Sequence, residues 1–333
     1  LLRGLLTASN VLPEAIASAL QNYAPSGELS AIQVEVWPSS KQLSMAARLN
    51  RVAVQAYGGT PEIANINGTL VANEVAGSVE FAGEQLKLGL PRLYHNSWRF
   101  QEASGKVSWQ LQDKAIAVTG EELLVQGLEG KRGHFSGGFS LEIPINKVAP
   151  GLLNLSLATR NADASLAGAL VPGRLVGDKA HSWLQTAFSK GRIPAGTFSY
   201  HGEIGSQADA KKPEIGLRLD IDDVTLMYLP EWPQLSGVKG KVELEGAQLT
   251  GAIESGSIGG TVVRHGGFLI KNLNSPFVEI QATARPRAKD WLYWLHQSPA
   301  APLLEKVVGD WRIDGQSVVD FSLLTKVDGS IPV

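Results

Sequence analysis

Chemistry would begin at the titratable side chains, and their spacing assembles none. Six histidines, His95, His134, His181, His201, His265 and His296, stand singly along the chain. There is no His-Glu-x-x-His pair to hold zinc on one helix face, and no Gly-x-Ser-x-Gly turn to expose a nucleophilic serine. Cysteine is absent, which removes disulfides, thiolate zinc sites, iron–sulfur clusters and cysteine nucleophiles. The densest acidic group is Asp220, Asp222 and Asp223. Calcium takes roughly six to eight oxygens, usually from a looped backbone. Asp220 and Asp222 instead alternate along a strand, which reads as a solvated face. Gly130-Lys131-Arg132-Gly133-His134 is glycine-rich and basic, but it lacks the Gly-Lys-Ser/Thr ending of a phosphate cradle. It reads as a hairpin turn, with a phospholipid headgroup contact as its second reading. No catalytic residue, metal or cofactor is expected, and the chain does not read as an enzyme.

Composition narrows the classes further. Hydrophobic residues make up 44% of the 333 residues and charged residues 19%, which excludes wholesale disorder. A net charge of −2 leaves no basic footprint for nucleic acid. The length alone suggests two domains. A chain without cysteine suits an oxidising compartment. Neither a signal peptide nor an unbroken apolar run of about 18–20 residues is present. We therefore expect a fragment of a longer protein, with any membrane anchor outside it.

The elements that would position functional residues are strands. Strict alternation of apolar and polar residues marks a strand with one dry and one wet face. Ile32, Val34 and Val36 alternate with Gln33 and Glu35, and Val107, Trp109 and Leu111 with Ser108 and Gln110. Leu153, Leu155 and Leu157 follow the same rule, as do Leu217, Leu219 and Ile221, then Val242 and Leu244. Val278 and Ile280, and finally Val319, Phe321 and Leu323, complete the apolar set. Glycines fall between the runs, as hairpins require, and the helices that parallel βαβ units need are nearly absent. About 24 strands at roughly 4.8 Å each would make one elongated sheet, which must twist and curl.

Three segments have helical spacing instead: 13–23, 178–189, and 288–295 with a continuation over 302–308. They expose an internal repeat. A helix precedes Gly27, a strand, Tyr57, Pro61 and Gly68. Another precedes Gly191, a strand, Tyr228, Pro233 and Gly240, with the same interval from proline to glycine. A third precedes Gly315. The expected organisation is a first β-groove unit over 1–175, a second over 176–286, and the start of a third over 287–333. The fold class is all-β: a long curled antiparallel sheet, folded like a taco, with a few short helices between repeat units.

The apolar face has two readings. It is the sealed interior of a sandwich, in a structural or adhesive protein, or it is an uncovered strip. An uncovered strip of that size needs a ligand. Acyl chains suit it, because their burial (roughly 0.8 kcal/mol per CH₂) needs no placed polar group. A β-solenoid or sandwich enzyme is the weakest alternative.

One block is recognisable. Leu170-Val171-Pro172-Gly173, Ser182-Trp183-Leu184-Gln185-Thr186-Ala187-Phe188, Gly191-Arg192 and Gly202 resemble the central block of the YhdP family. These are AsmA-like relatives of TamB in the Gram-negative envelope. The run Val224-Thr225-Leu226-Met227-Tyr228-Leu229-Pro230-Glu231-Trp232-Pro233-Gln234-Leu235 resembles that family's Tyr…Trp-Pro segment. The similarity covers roughly residues 165–270, with Leu86–Pro91 and Gly105–Trp109 alike in style. It departs at Gly205–Pro213, which stands in place of a Phe-Pro-Phe-like segment. The resemblance implies a periplasmic β-groove, anchored in the inner membrane by parts outside this chain, that carries phospholipid toward the outer membrane. It offers no catalytic residue to transfer, and leaves other envelope proteins as unidentified partners.

Overall fold

The computed structural model describes residues 21–37, 39, 42–58, 60–145, 149–172, 178–205, 213–228, 233–259, 261–273, 277–287, 289–290 and 314–326. The alternating runs become β1 (Ser26–Trp37), β2 (Gln42–Val54), β3 (Glu62–Asn73), β4 (Ala76–Glu84), β5 (Lys87–Gly89), β6 (Trp98–Leu111), β7 (Ala115–Leu128), β8 (Lys131–Pro144) and β9 (Gly151–Asp163). They continue as β10 (Phe188–Ile204), β11 (Glu214–Leu226), β12 (Leu235–Glu245), β13 (Gln248–Ile258), β14 (Thr261–Ile270), β15 (Phe277–Ala284) and β16 (Val319–Lys326). These strands form one long antiparallel sheet in sequence order, except that the short β5 pairs with β3 and β6. The fold is the all-β architecture expected. It divides into two compact units: Leu1–Ala158 with Gly173–Leu175 and Ser199–Pro213, and Thr159–Pro172 with Val176–Phe198 and Glu214–Val333.

The strand count among the described residues is 16, below the expected 24 or so, because the strands are long. β6, β7 and β8 each have 14 residues and β10 has 17. Glycines are expected between the strands, but several, among them Gly105, Gly120 and Gly196, lie inside strands. The Gly130 region is a turn as expected, joining β7 to β8.

Pairing is interrupted along the sheet by bulges. Register breaks fall between Leu49 and Val52, Gly120 and Leu123, Ile221 and Val224, and Arg264 and Gly266. Within them Arg51, Glu122, Asp223 and His265 adopt φ of 50°, 51°, 52° and 57°. An extra residue in one strand of a pair bends it and raises its local twist. Many of the buried side chains lie beside residues with positive φ, at these bends and elsewhere. Leu49, Val52, Leu86, Ala103 and Leu128 in the first unit, and Ala162, Ile193, Val224, Leu235, Val238 and Val263 in the second, lie within two residues of a left-handed residue. Ala47, Phe100 and Ala115 in the strands, and Ala164, Leu166 and Ala187 at the helical segments, are buried away from such residues.

The second unit contains a helical cap. A 3-10 turn (Ala164–Leu166) leads into α1 (Ala167–Leu170), and α2 (Asp178–Ala187) follows. α2 is the helix expected over 178–189; its last two residues instead open β10. α1 has no sequence precedent, since four residues show no periodicity. Gly168 lets α1 approach α2, because a Cβ there would lie 2.8 Å from the Gln185 Cα. Gly168→Val is expected to lower stability by about 1–3 kcal/mol through overpacking, read from the urea midpoint. Of the helix expected over 13–23, residues 21–23 are helical and the rest lies outside the described residues. Of 288–295, only 289 and 290 are described, both helical, and 302–308 lies outside the described residues.

The repeat has a structural counterpart. The Gln55 N–H donates to the Tyr23 carbonyl at 2.8 Å, and the Met227 N–H to the Ala187 carbonyl at 2.9 Å. The same interval then leads from Tyr23 to Gly27 and from Ala187 to Gly191. Each glycine abuts a bulge: Gly27 that of Arg51, and Gly191 that of Asp223. Leu49 pairs with Gly68, and Ile221 with Gly240. An ionic contact recurs with its charges exchanged: Glu28 pairs with Arg51, whereas Arg192 pairs with Asp222 and Lys190 with Asp223. These pairs are largely exposed, so each contributes little to stability.

Candidate functional site

Opposite residues of an antiparallel pair share a face, so the registers assign faces residue by residue. In the first unit one row runs Ala47, Leu70, Val79, Val107, Gly120 and Phe139. A second runs Val34, Met45, Ala72, Gly77, Trp109, Val118 and Leu141. In the second unit the central row is Leu219, Val242, Gly251, Phe268, Ile280 and Leu323. Flanking rows run Leu217, Leu244, Leu249 and Ile270, and Ile221, Gly240, Ile253, Gly266, Ala282 and Phe321. None of these rows contains a carboxylate, an ammonium, a guanidinium or an imidazole.

The reverse face is charged. Arg48, Thr69, Glu80, Lys106 and Glu121 form one row in the first unit. Asp220, Lys241, Ala252, Gly267, Gln281 and Ser322 form another in the second. Arg218 reaches Glu245 at 3.3 Å and Glu243 at 4.0 Å on that side. Asp220, Asp222 and Asp223 do not converge on a cation, and among the described residues no group of side chains could hold a metal ion. A depression of about 440 Å³ in the first unit includes Ser44, Ser78, Ser108, Gln110 and Thr119 in its wall, with no titratable side chain to act as acid or base.

Apart from Ile32, the residues singled out in the sequence fall on the uncharged face, unit by unit. Val36 pairs with Leu43, and Leu111 with Ile116. Asn154 donates to the Ser140 hydroxyl at 3.2 Å, on the reverse face, which turns Leu153 and Leu155 to the apolar one. Leu157 follows them in alternation. Val278 lies two residues from Ile280 on β15, and Val319 pairs with Ala284. Ile32 sits in the register break between Ser30 and Gln33, so pairing does not fix its face.

None of these residues is buried; all are half-buried or exposed. Val34 is 53% exposed and Val36 58%. In a sandwich the inward residues would be sealed by a facing sheet. Here the substantial contacts between described elements join sheet neighbours, or join α1 to α2 and to the turn before it. The sequence missed Leu43, Met45, Leu70, Phe139, Leu249 and Phe268 on this face. Glycine pairs such as Gly137-Gly138 and Gly266-Gly267 interrupt the alternation beside the two phenylalanines, and hide it.

Tyr228 anchors the strand end under α2. Its carbonyl accepts from the Trp183 Nε1 at 3.0 Å, and burial pushes its phenol up from 10.0 to about 12. The unfolded phenol ionises first, so stability is full below about pH 10 and is lost as pH rises toward 12. Tyr228→Phe is expected to flatten this loss in thermal melts taken between those pH values.

The registers give each unit an antiparallel sheet with one uncharged apolar face and one charged face. The chain belongs to the YhdP protein family, whose model matches residues 1–331, and is an AsmA-like envelope protein. The family is not one of known enzymes. No curated protein and no solved structure matches the chain. Among the described residues, no helix is long and apolar enough to cross a membrane.

Proposed function

We propose that the apolar face of each unit is a track for phospholipid acyl chains, in a periplasmic protein that carries lipid between the inner and outer membranes. Such traffic supports the outer-membrane permeability barrier. The observation that carries the reading is the combination of apolar rows, no charge within them, and large side chains that are half-buried or exposed. Water against such a face is unfavourable, at roughly 25 cal/mol per Å² of apolar surface. An acyl chain covers it without any directional partner, while the headgroup stays in water. Chains held in this way slide, because no single contact dominates. The chain acts without chemistry, and contact with both membranes falls to parts of the protein outside it.

Mass spectrometry of organic extracts from the purified chain tests the reading. Phospholipid is expected to co-purify near one or more molecules per chain. A chain that is folded and lipid-free after mild purification would overturn the track in favour of an envelope protein with no lipid cargo.

A further inference from the structure

Three of the widest residues of the apolar face are arranged to leave it clear. Trp109, Phe139 and Phe268 are each directly opposite a glycine: Gly77, Gly120 and Gly251. Each ring lies over its glycine. A Cβ on Gly77 would fall 2.2 Å from the Trp109 Cζ2, one on Gly120 2.3 Å from the Phe139 Cε1, and one on Gly251 2.0 Å from the Phe268 Cε1. The rings therefore occupy the volume that a neighbouring side chain would fill, flat along the sheet. The arrangement occurs twice in the first unit and once in the second.

These glycines differ in kind from others on the same face. A Cβ on Gly68 or Gly240 would meet a neighbouring backbone carbonyl at 2.1 Å, that of Glu80 or Ala252. There the strands themselves would have to part. At Gly77 and Gly251 the three nearest atoms are all of the aromatic ring, which can swing away about its side-chain torsions. A ring swung off its glycine stands over the face.

We propose that the three glycine–aromatic pairs set the clearance of the acyl track, by storing each ring against the sheet and out of the path of the cargo. The proposal rests on the lipid-track reading above. Thin, unbranched acyl chains pass over rings laid flat, whereas an upright indole or phenyl on a half-buried face obstructs them. Aromatic cover over a glycine also steadies strand pairing, and this purely structural role predicts a different outcome.

The test uses the full chain and vesicles of phosphatidylethanolamine carrying a photoreactive acyl chain, with cross-linking yield read beside the thermal midpoint. Gly77→Ala is expected to cut cross-linking at least about threefold with the midpoint unchanged or raised, since alanine suits a strand better than glycine. Adding Trp109→Leu to Gly77→Ala should restore the yield, because no ring is left to displace. Gly251→Ala with Phe268→Leu provides the same pair of readings in the second unit. Wild-type yield in Gly77→Ala and Gly251→Ala, or a loss that the leucine partners do not restore, would overturn the clearance role and leave the track intact. A wild-type chain that takes up no photoreactive lipid would overturn both.

Discussion

Leu219→Glu is expected to abolish phospholipid uptake by the chain, while Asp220→Ala one residue away leaves it unchanged. Leu219 sits in the central row of the second unit, opposite Val242 and between Leu217 and Ile221 along its strand. A carboxylate there faces aliphatic side chains along its own strand and on β12, and finds no cation in the rows traced on that face. The bare chain tolerates it, because the half-buried position leaves the carboxylate a path to water. An acyl chain laid over it removes that path. Burying a neutral polar group already costs roughly 1–3 kcal/mol, and an unpaired charge costs more. Retention should therefore fall more than about tenfold. Asp220 lies on the exposed reverse face opposite Lys241 in register, and loss of a surface carboxylate there costs well under 1 kcal/mol. Val107→Glu, opposite Val79 and Gly120, should repeat the result in the first unit. Co-purified phospholipid per chain is the measurement, and in cells the detergent sensitivity of the outer membrane. Equal losses from Leu219→Glu and Asp220→Ala would sink the track.

The faces were legible in the sequence wherever a strand arm is regular, because a period of two is a local property. Leu217, Leu219 and Ile221 need only their own neighbours to declare a side. The bulges were not legible. Arg51, Glu122, Asp223 and His265 are ordinary polar residues in sequence, and their left-handed backbone falls where the pairing register breaks. Strand length was misread for a related reason. Glycines are expected between strands, yet Gly105 abuts the Glu122 bulge of the next strand and Gly120 makes room for Phe139. A glycine signals close approach as readily as it signals reversal, and only the cross-strand partner distinguishes the two. The same partner explains why Phe139 and Phe268 were overlooked: each is paired in space with a glycine far along the chain. The repeat was visible as proline and glycine spacing, but its physical basis is the bulge that both units share.

That shared bulge predicts the largest stability effect. Gly191 has φ of 124°, a region that side chains avoid, and a Cβ there would lie 2.5 Å from the Val224 Cα and 2.9 Å from the Asp223 carbonyl. Gly191→Ala thus meets two costs. Backbone strain of this kind is worth roughly 1–3 kcal/mol. The collision is with main chain, so relief requires strands to separate beside Val224, which is only 2% exposed. Opening that contact loses part of a buried valine, about another 1–2 kcal/mol. We expect a total loss above about 3 kcal/mol, and the same for Gly27→Ala, where the Arg51 carbonyl would lie 2.6 Å away. Gly246→Ala separates the two costs. Gly246 also has a positive φ, of 59°, but nothing lies within 4 Å of its added Cβ. Strain alone then predicts a loss near 1 kcal/mol. Urea unfolding of the three variants measures the difference. If Gly191→Ala and Gly246→Ala fall together, the close approach at the bulge carries no stability of its own, and the core does not depend on where the strands bend.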